Sequence, residues 1–425
     1  MAIRRDSQGI LHFGDIDLTS VIREFGSPTY VYDLDSIARG AMDLGDAFEG
    51  APHLIAYAVK ANTAGAVVRT LVGAGCGVDI VSRGELRVAM ACGADPSQIV
   101  FSGVAKQDQE LEEAIAAGSH GIAAIQLESI EEVARVAGRA RALGRTAQVG
   151  LRINPGIDLE GATHAHIATG HDKAKFGVPF ADVARAVQIV ESTPGLKLVG
   201  IGCHAGSQFT TLDPYLAAAR VVFDLVRNLR HEGHLRSLAF VDSGGGFGID
   251  YGAGCLAQPT DFVREARAQQ LKHGLGDLKL VVEPGRSLVA AHGVLVARVI
   301  QTKLSALRRW LMIDAGMNDL IRPALYQAHH PIVSLDQAPG ESEIPWRVVG
   351  PVCESSDDFG DHSLGKQAPK AVAILGAGAY GYTLASQYNG RQLPAEVFLR
   401  AGRVVGHTAR AAVEAWASER ANAGL

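Results

Sequence analysis

Leu54-Ile55-Ala56-Tyr57-Ala58-Val59-Lys60-Ala61-Asn62 is a short apolar run that stops on a lysine. Seven further β-rich runs follow at intervals: Gly77–Val81, Ile99–Ser102, Ile122–Gln126, Gln148–Ile153, Leu198–Cys203, Leu238–Asp242 and Leu278–Val282. Between them lie Ala-, Glu- and Arg-rich segments with helical spacing, such as Glu110–Ala117 and Ile130–Leu143. Strands alternating with helices mean βαβ units and a parallel sheet. Eight such units between residues 54 and 286 fit a TIM-type (β/α)8 barrel, with an open doubly wound sheet as the competing architecture.

The pattern changes beyond residue 290. Gly293–Thr302, Trp310–Asp314, Pro345–Val349, Ala371–Leu375 and Glu396–Arg400 follow one another without long helices, which reads as an antiparallel β domain. A terminal helix is expected over Ala409–Asn422. The expected division is a barrel over residues 29–289 and a β domain from residues 1–28 and 290–425. Two short strands near the start, Leu11–Phe13 and Thr29–Tyr32, go with the β domain.

Composition narrows the classes. The chain has 425 residues, enough for two or three domains and a large core. Its formal charge of -5, without a long basic run, argues against a nucleic-acid or anionic-membrane partner. Cys76, Cys92, Cys203, Cys255 and Cys353 are scattered and odd in number, which suits a reducing compartment better than a disulfide framework. No apolar stretch is long enough to span a bilayer, and no secretory signal is read at the start, so the expected location is the cytoplasm.

Function is sought where barrels keep it, at the C-terminal ends of the strands. Those ends carry Lys60, Asp79 and Ser82, Ser102, Glu128, Arg152, His204 and Ser207, Ser243 to Gly246, and Glu283 to Arg286. Lys60 has no carboxylate near it in sequence. Read alone it points into water; buried, it would be an unpaired cation prone to lose its proton and act as a nucleophile. Ser243-Gly244-Gly245-Gly246-Phe247-Gly248 is either a flexible turn or a loop whose N–H groups converge on a phosphate. Glu283-Pro284-Gly285-Arg286 is either a local ion pair or a carboxylate and guanidinium presented together. An amine, an anion cradle and a carboxylate are what pyridoxal 5'-phosphate (PLP) requires.

These segments, with His204-Ala205-Gly206-Ser207, Gly350-Pro351-Val352-Cys353-Glu354-Ser355 and Gly378-Ala379-Tyr380, resemble the motif series of the barrel-type (fold-type III) PLP-dependent amino-acid decarboxylases, in the family's order and over nearly the whole chain. Asp314-Ala315-Gly316-Met317-Asn318-Asp319-Leu320-Ile321-Arg322-Pro323-Ala324-Leu325-Tyr326 is similar to the branch acting on diaminopimelate, as is Glu354 directly after Cys353. The resemblance implies that Lys60 carries the cofactor as a Schiff base, so that the cofactor and not a neighbouring carboxylate settles its charge. It implies that His204 stacks on the cofactor ring, that Glu283 pairs with the ring nitrogen, and that Gly246, Gly285 and Arg286 hold the phosphate. Arg286, Arg322 and Tyr326 would bind the carboxylate at the non-reacting end of the substrate, and Glu354 its ammonium group. Tyr380 would touch cofactor and substrate. Cys353 would be the proton donor, reaching the active site from the partner chain of a homodimer. Ser207, Asp79 and Arg152 match further family positions. The implied reaction is decarboxylation of meso-2,6-diaminopimelate to L-lysine and CO2. Two arginines suit a substrate with a second carboxylate, which ornithine and arginine lack.

Two rival readings fit the same residues: a decarboxylase of another basic or diamino acid, or a PLP-binding homologue without catalysis. Gly376-Ala377-Gly378-Ala379-Tyr380-Gly381 fits a dinucleotide-binding pattern, but no long helix or βαβ unit follows it. His164-Ala165-His166 with His171 and Asp172 lacks a completing Cys or Glu, and no metal is expected. The stretch 163–175 reads as a lid. His329-His330 read as surface or packing residues. Ser355-Ser356-Asp357-Asp358-Phe359 is unusually acidic for the branch and is expected to bear on the substrate's far end.

Overall fold

The structure is a computed structural model describing residues 3–157, 174–252, 254–338, 340 and 343–423. It divides into two compact units, one of Met1–Ile37, Tyr251–Ala253 and Leu288–Leu425, the other of Ala38–Asp250 and Gly254–Ser287.

The second unit is the barrel. Its parallel strands are β1 (His53–Ala58), β2 (Gly77–Ile80), β3 (Ile99–Phe101), β4 (Ala124–Leu127), β5 (Ala147–Asn154), β6 (Leu196–Gly202), β7 (Phe240–Gly245) and β8 (Lys279–Glu283). Each pairs with the next, and β8 returns to β1 through Val281↔Leu54. The sheet is therefore closed, which excludes the open doubly wound alternative. Inward-facing Leu54, Ala56, Val100, Ala124, Val199, Phe240 and Val281 form one buried cluster, so the barrel is a packed core and not a pore. Polar side chains turn strand ends into helix starts. Ser82 accepts from Glu85 N–H at 3.2 Å to cap helix Arg83–Ala91. Gln107 and Glu110 form a capping box on helix Asp108–Ala116.

The first unit is a β structure. Ile3–Arg5, Leu11–Phe13 and Ile16–Asp17 make a small antiparallel sheet. The larger sheet runs, in order, Asp358–Leu364, Ile344–Val349, Arg309–Ile313, Gly293–Leu304, Thr29–Asp33, Ala395–Arg400 and Arg403–Thr408. Ala371–Ile374 pairs with Gly293–Leu304 and with Ile332–Ser334. Most pairings are antiparallel, as expected, but Arg309–Ile313 runs parallel to Ile344–Val349, and Thr29–Asp33 parallel to Ala395–Arg400. Thr29–Asp33 sits between two strands of this sheet, so the division expected after residue 28 falls instead after Ile37. Phe13, Val31, Val294, Val296, Val397 and Leu399 fill its core. The terminal helix is shorter than expected, Val413–Asn422, and has no buried residue. After the glycine-rich turn at Gly376–Gly381 come only two 3-10 turns, Tyr382–Leu384 and Tyr388–Gly390, before the strand Ala395–Arg400, and no dinucleotide-type helix.

Candidate active site

At the rim of the barrel, Lys60 lies on the 3-10 turn Val59–Ala61 that follows β1. Its Nζ is 2.7 Å from Oδ2 of Asp79, the penultimate residue of β2, which is fully buried. This corrects the expectation that Lys60 has no carboxylate partner: the partner is on the neighbouring strand, where Ala58 is in register with Asp79. Burial holds the Asp79 carboxyl above its ordinary value; the Lys60 charge and hydrogen bonds from Lys60 and Ser102 offset this only in part, and the charge of Glu283 adds to it.

Glu283 ends β8 and is buried. Burial by itself would raise it. The hydrogen bond from His204 and the charges of His204, Lys60 and Arg152 outweigh that and bring it to about 2. His204 Nδ1 lies 3.2 Å from Glu283 Oε2 and also 3.2 Å from the Gly245 N–H. One nitrogen serves one role at a time: with a proton it donates to Glu283, and without one it accepts from Gly245. Asp242 on β7 is its counterpart. It is fully buried and held well above the usual carboxylate range, first by burial and then by the neighbouring charge of Glu283, with which it shares a hydrogen bond. Asp242 keeps the proton and Glu283 the charge.

The glycine turn packs against the loop after β6. Phe209 N–H donates to Gly246 O at 2.9 Å, and a Cβ on Gly246 (φ 92°) would sit 2.3 Å from Gly206 O. Only glycine fits there. Arg286 is buried and donates to Ser207 Oγ at 3.0 Å, and Pro284 O accepts from Ala58 N–H at 3.0 Å, which ties the Glu283–Arg286 turn to the strand of Lys60. Arg152 donates to Glu128 Oε1 at 3.0 Å and to His204 O at 3.3 Å. Glu128 also accepts from the N–H groups of Gly103 and Gly177, both at 2.8 Å. Beneath this network lies a buried lysine that the motifs do not reveal. Lys106 donates to Gly103 O and Gln126 O and pairs with Glu132 at 3.4 Å, fastening two strand-end loops. The rim thus unites an amine, an imidazole, a carboxylate that stays ionised and a glycine turn with no space for side chains. That donor set fits PLP.

The β unit holds the other expected residues. Arg322 is buried at the start of helix Arg322–Tyr326. It donates to Tyr251 Oη at 3.0 Å and to His330 Nε2 at 2.7 Å, with its guanidinium over the Tyr251 ring at 4.8 Å. His330 Nδ1 faces Leu375 O at 2.9 Å, so Nδ1 carries the proton and Nε2 accepts from Arg322. His330 is therefore a support for Arg322, beyond the surface or packing role expected of it. Tyr326 is half-buried on the same helix. Tyr380 has φ 55°, a left-handed backbone rare for an aromatic residue, of the kind that clusters at functional sites. Cys353 and Glu354 are exposed on a turn. Cys353 N–H donates to Asn389 Oδ1 at 2.9 Å, Tyr388 Oη donates to Glu354 Oε1, and Arg391 donates to Pro351 O at 3.3 Å. The acidic stretch beyond them is not a solvent-facing block of charge. Asp357 is buried, and Asp358 pairs with Arg347 at 2.7 Å. The histidines at 164, 166 and 171, Asp172 and most of the stretch 163–175 lie outside the described residues. Among the described residues no group of three or more His, Cys, Asp or Glu is placed to hold a metal.

Comparisons with known proteins agree with this geometry. The family profile "Pyridoxal-dependent decarboxylase, pyridoxal binding domain" matches residues 34–290. The chain is 40% identical over 398 residues to the diaminopimelate decarboxylase of Zymomonas mobilis, covering 92% of each chain. Its fold is similar to the crystal structure of diaminopimelate decarboxylase from Helicobacter pylori complexed with L-lysine, with a TM-score of 0.87 at 36% identity over 95% of this chain and 99% of that one. It is also similar to the M. jannaschii enzyme in complex with L-lysine, with a TM-score of 0.90 at 33% identity over 97% and 95% of the two chains.

Proposed function

The chain belongs to the family of pyridoxal-dependent decarboxylases, and on that premise we infer that it converts meso-2,6-diaminopimelate to L-lysine and CO2, the last step of lysine biosynthesis. The observation that carries this reading is the barrel rim, where the Lys60 amine and a Glu283 carboxylate held at about 2 stand at ends of adjacent strands. The cofactor is pyridoxal 5'-phosphate. When bound, it takes up the electron pair that CO2 leaves behind.

The residues divide the remaining work. Lys60 is the covalent anchor, and Asp79 holds its Nζ in place. Glu283 stays ionised through the neutral pH range and would keep a proton on the cofactor's ring nitrogen. His204, whose backbone carbonyl accepts from Arg152, would lie against the cofactor's ring. Gly246, Gly285 and Arg286 would hold the phosphate, with Ser207 orienting Arg286. On the β unit, Arg322 and Tyr326 take the substrate's second carboxylate, a group whose two oxygens match a guanidinium fork; Arg286 has the same chemistry on the barrel unit. Glu354 takes the far ammonium group, and Tyr380 touches cofactor and substrate. Cys353 gives a proton to the α-carbon after CO2 departs. The exposure of Cys353 and Glu354 on their own unit supports a homodimer in which this turn serves the partner's barrel. Five free thiols suit the reducing setting of the cytoplasm.

The deciding experiment offers meso-diaminopimelate, ornithine and arginine separately to the PLP-loaded protein and follows CO2 and amine products. Lysine from meso-diaminopimelate, with little turnover of the other two, is expected. Preferential turnover of ornithine or arginine would overturn the substrate assignment, and no turnover of any of them would favour a non-catalytic PLP binder.

A further inference from the structure

The exposed turn of Cys353 and Glu354 is fastened at its base by one buried carboxylate. Asp357 is 4% exposed. Its Oδ1 accepts from Met317 N–H at 2.6 Å and its Oδ2 from Val352 N–H at 2.6 Å. The backbone closes the same turn: Gly350 N–H donates to Asp357 O, and Asp357 N–H to Glu354 O, both at 3.1 Å. The approach needs missing side chains on both flanks. A Cβ on Gly350 would lie 2.4 Å from Oδ2 and 2.5 Å from Oδ1, and one on Gly316 would lie 3.0 Å from Oδ2. Two glycines from separate segments are thus moulded around a single carboxylate. Met317 belongs to the segment that leads into Arg322, and Val352 immediately precedes Cys353. Backbone N–H bonds to an ionised carboxylate are about twice as strong as neutral ones. The adjacent acid has a separate task, since Asp358 binds Arg347 through Nε at 2.8 Å.

We propose that Asp357 is a positioning residue that locks the Cys353–Glu354 turn to the Arg322 segment, so that the proton donor and the groups that read the substrate's far end keep one spacing. This rests on the roles given above to Cys353, Glu354 and Arg322. A purely structural aspartate would affect the melting temperature. A positioning aspartate also affects where the proton goes and how the substrate is held.

The test compares PLP-loaded wild type with Asp357→Asn, Asp357→Ala and the neighbouring control Asp358→Asn. Asparagine keeps the shape and one acceptor oxygen but turns an NH2 toward one of the two N–H donors. Five quantities are read: KM, kcat, lysine formed per CO2 released, the rate of Cys353 alkylation by iodoacetamide, and far-UV circular dichroism. The Asp357→Asn variant is expected to stay folded, to raise KM about tenfold, to form less than one lysine per CO2, and to change the alkylation rate several-fold. Asp358→Asn should match wild type on all five. A folded Asp357→Asn variant with wild-type product ratio and alkylation rate would overturn the proposal, and so would equal losses in Asp358→Asn. Loss of fold in the asparagine variant would assign Asp357 to stability alone and overturn it as well. If wild type forms no lysine from meso-diaminopimelate, the substrate reading fails by itself, and the alkylation rates still decide the positioning.

Discussion

Glu283 and Glu354 carry the same side chain under opposite regimes. Glu283 is buried at the end of a barrel strand, bounded by His204, Asp242 and the charges of Lys60 and Arg152, and is held at about 2. Glu354 stands in solvent on a turn, with Tyr388 as its hydrogen-bond partner, and its backbone is fixed through Asp357. The difference follows the work assigned to each. A charge that must be permanent is buried and surrounded, because low dielectric makes each neighbour count. A group that meets a substrate which comes and goes stays wet, and the fold fixes its backbone and leaves its charge to solvent.

The largest effect should come from breaking the buried side. Glu283→Gln keeps the shape and removes the charge, and should lower kcat by roughly a hundred- to a thousand-fold, the range typical for losing one preorganised electrostatic partner. A drop of only a few-fold in steady-state assays would show that the ionised carboxylate is not needed. The pH dependence sharpens the same point. Because Glu283 falls from its unfolded value of about 4.3 to about 2 in the folded protein, its contribution to stability is fully present above the unfolded value. It is lost as the pH falls toward 2. Acid denaturation followed by circular dichroism should therefore show a flatter stability slope for Glu283→Gln between those values, and an identical slope would contradict the depressed pKa.

An intermediate effect is expected at the support of Arg322. His330→Leu removes the acceptor at 2.7 Å from the guanidinium and should raise KM for the dicarboxylate substrate about tenfold with kcat little changed. An equal fall in kcat with KM constant would move Arg322 out of ground-state binding. The smallest effect should come from the exposed side. Tyr388→Phe removes the hydroxyl that binds Glu354, and solvent can replace it, so kcat/KM should stay within about fivefold of wild type. A loss as large as that of Glu283→Gln would erase the contrast between the two glutamates.

The barrel was legible because parallel strands buried on both faces need continuous apolar runs, and all eight runs fell on strands. The residues at their ends were legible for the same reason, since a strand end fixes where a side chain sits. Pairing between strands was not. Lys60 and Asp79 are separated by a whole βα unit in sequence and meet only through register. The strand Arg403–Thr408 was missed because it is an exposed edge with no buried face to impose alternation. His330 read as a surface or packing residue and Asp357 as one member of an acidic stretch near the substrate's far end, because a backbone N–H or a guanidinium brought from another segment leaves no mark on the residues around its acceptor.

Every role assigned at the barrel rim depends on Lys60 as the covalent anchor of the cofactor. Borohydride reduction of the PLP-loaded protein, followed by proteolysis and mass spectrometry, tests this directly. The predicted result is a single pyridoxyl-phosphate adduct on the peptide containing Tyr57-Ala58-Val59-Lys60-Ala61-Asn62, absent in Lys60→Ala. An adduct on another lysine, such as the buried Lys106, or an adduct that persists in the variant, would contradict it.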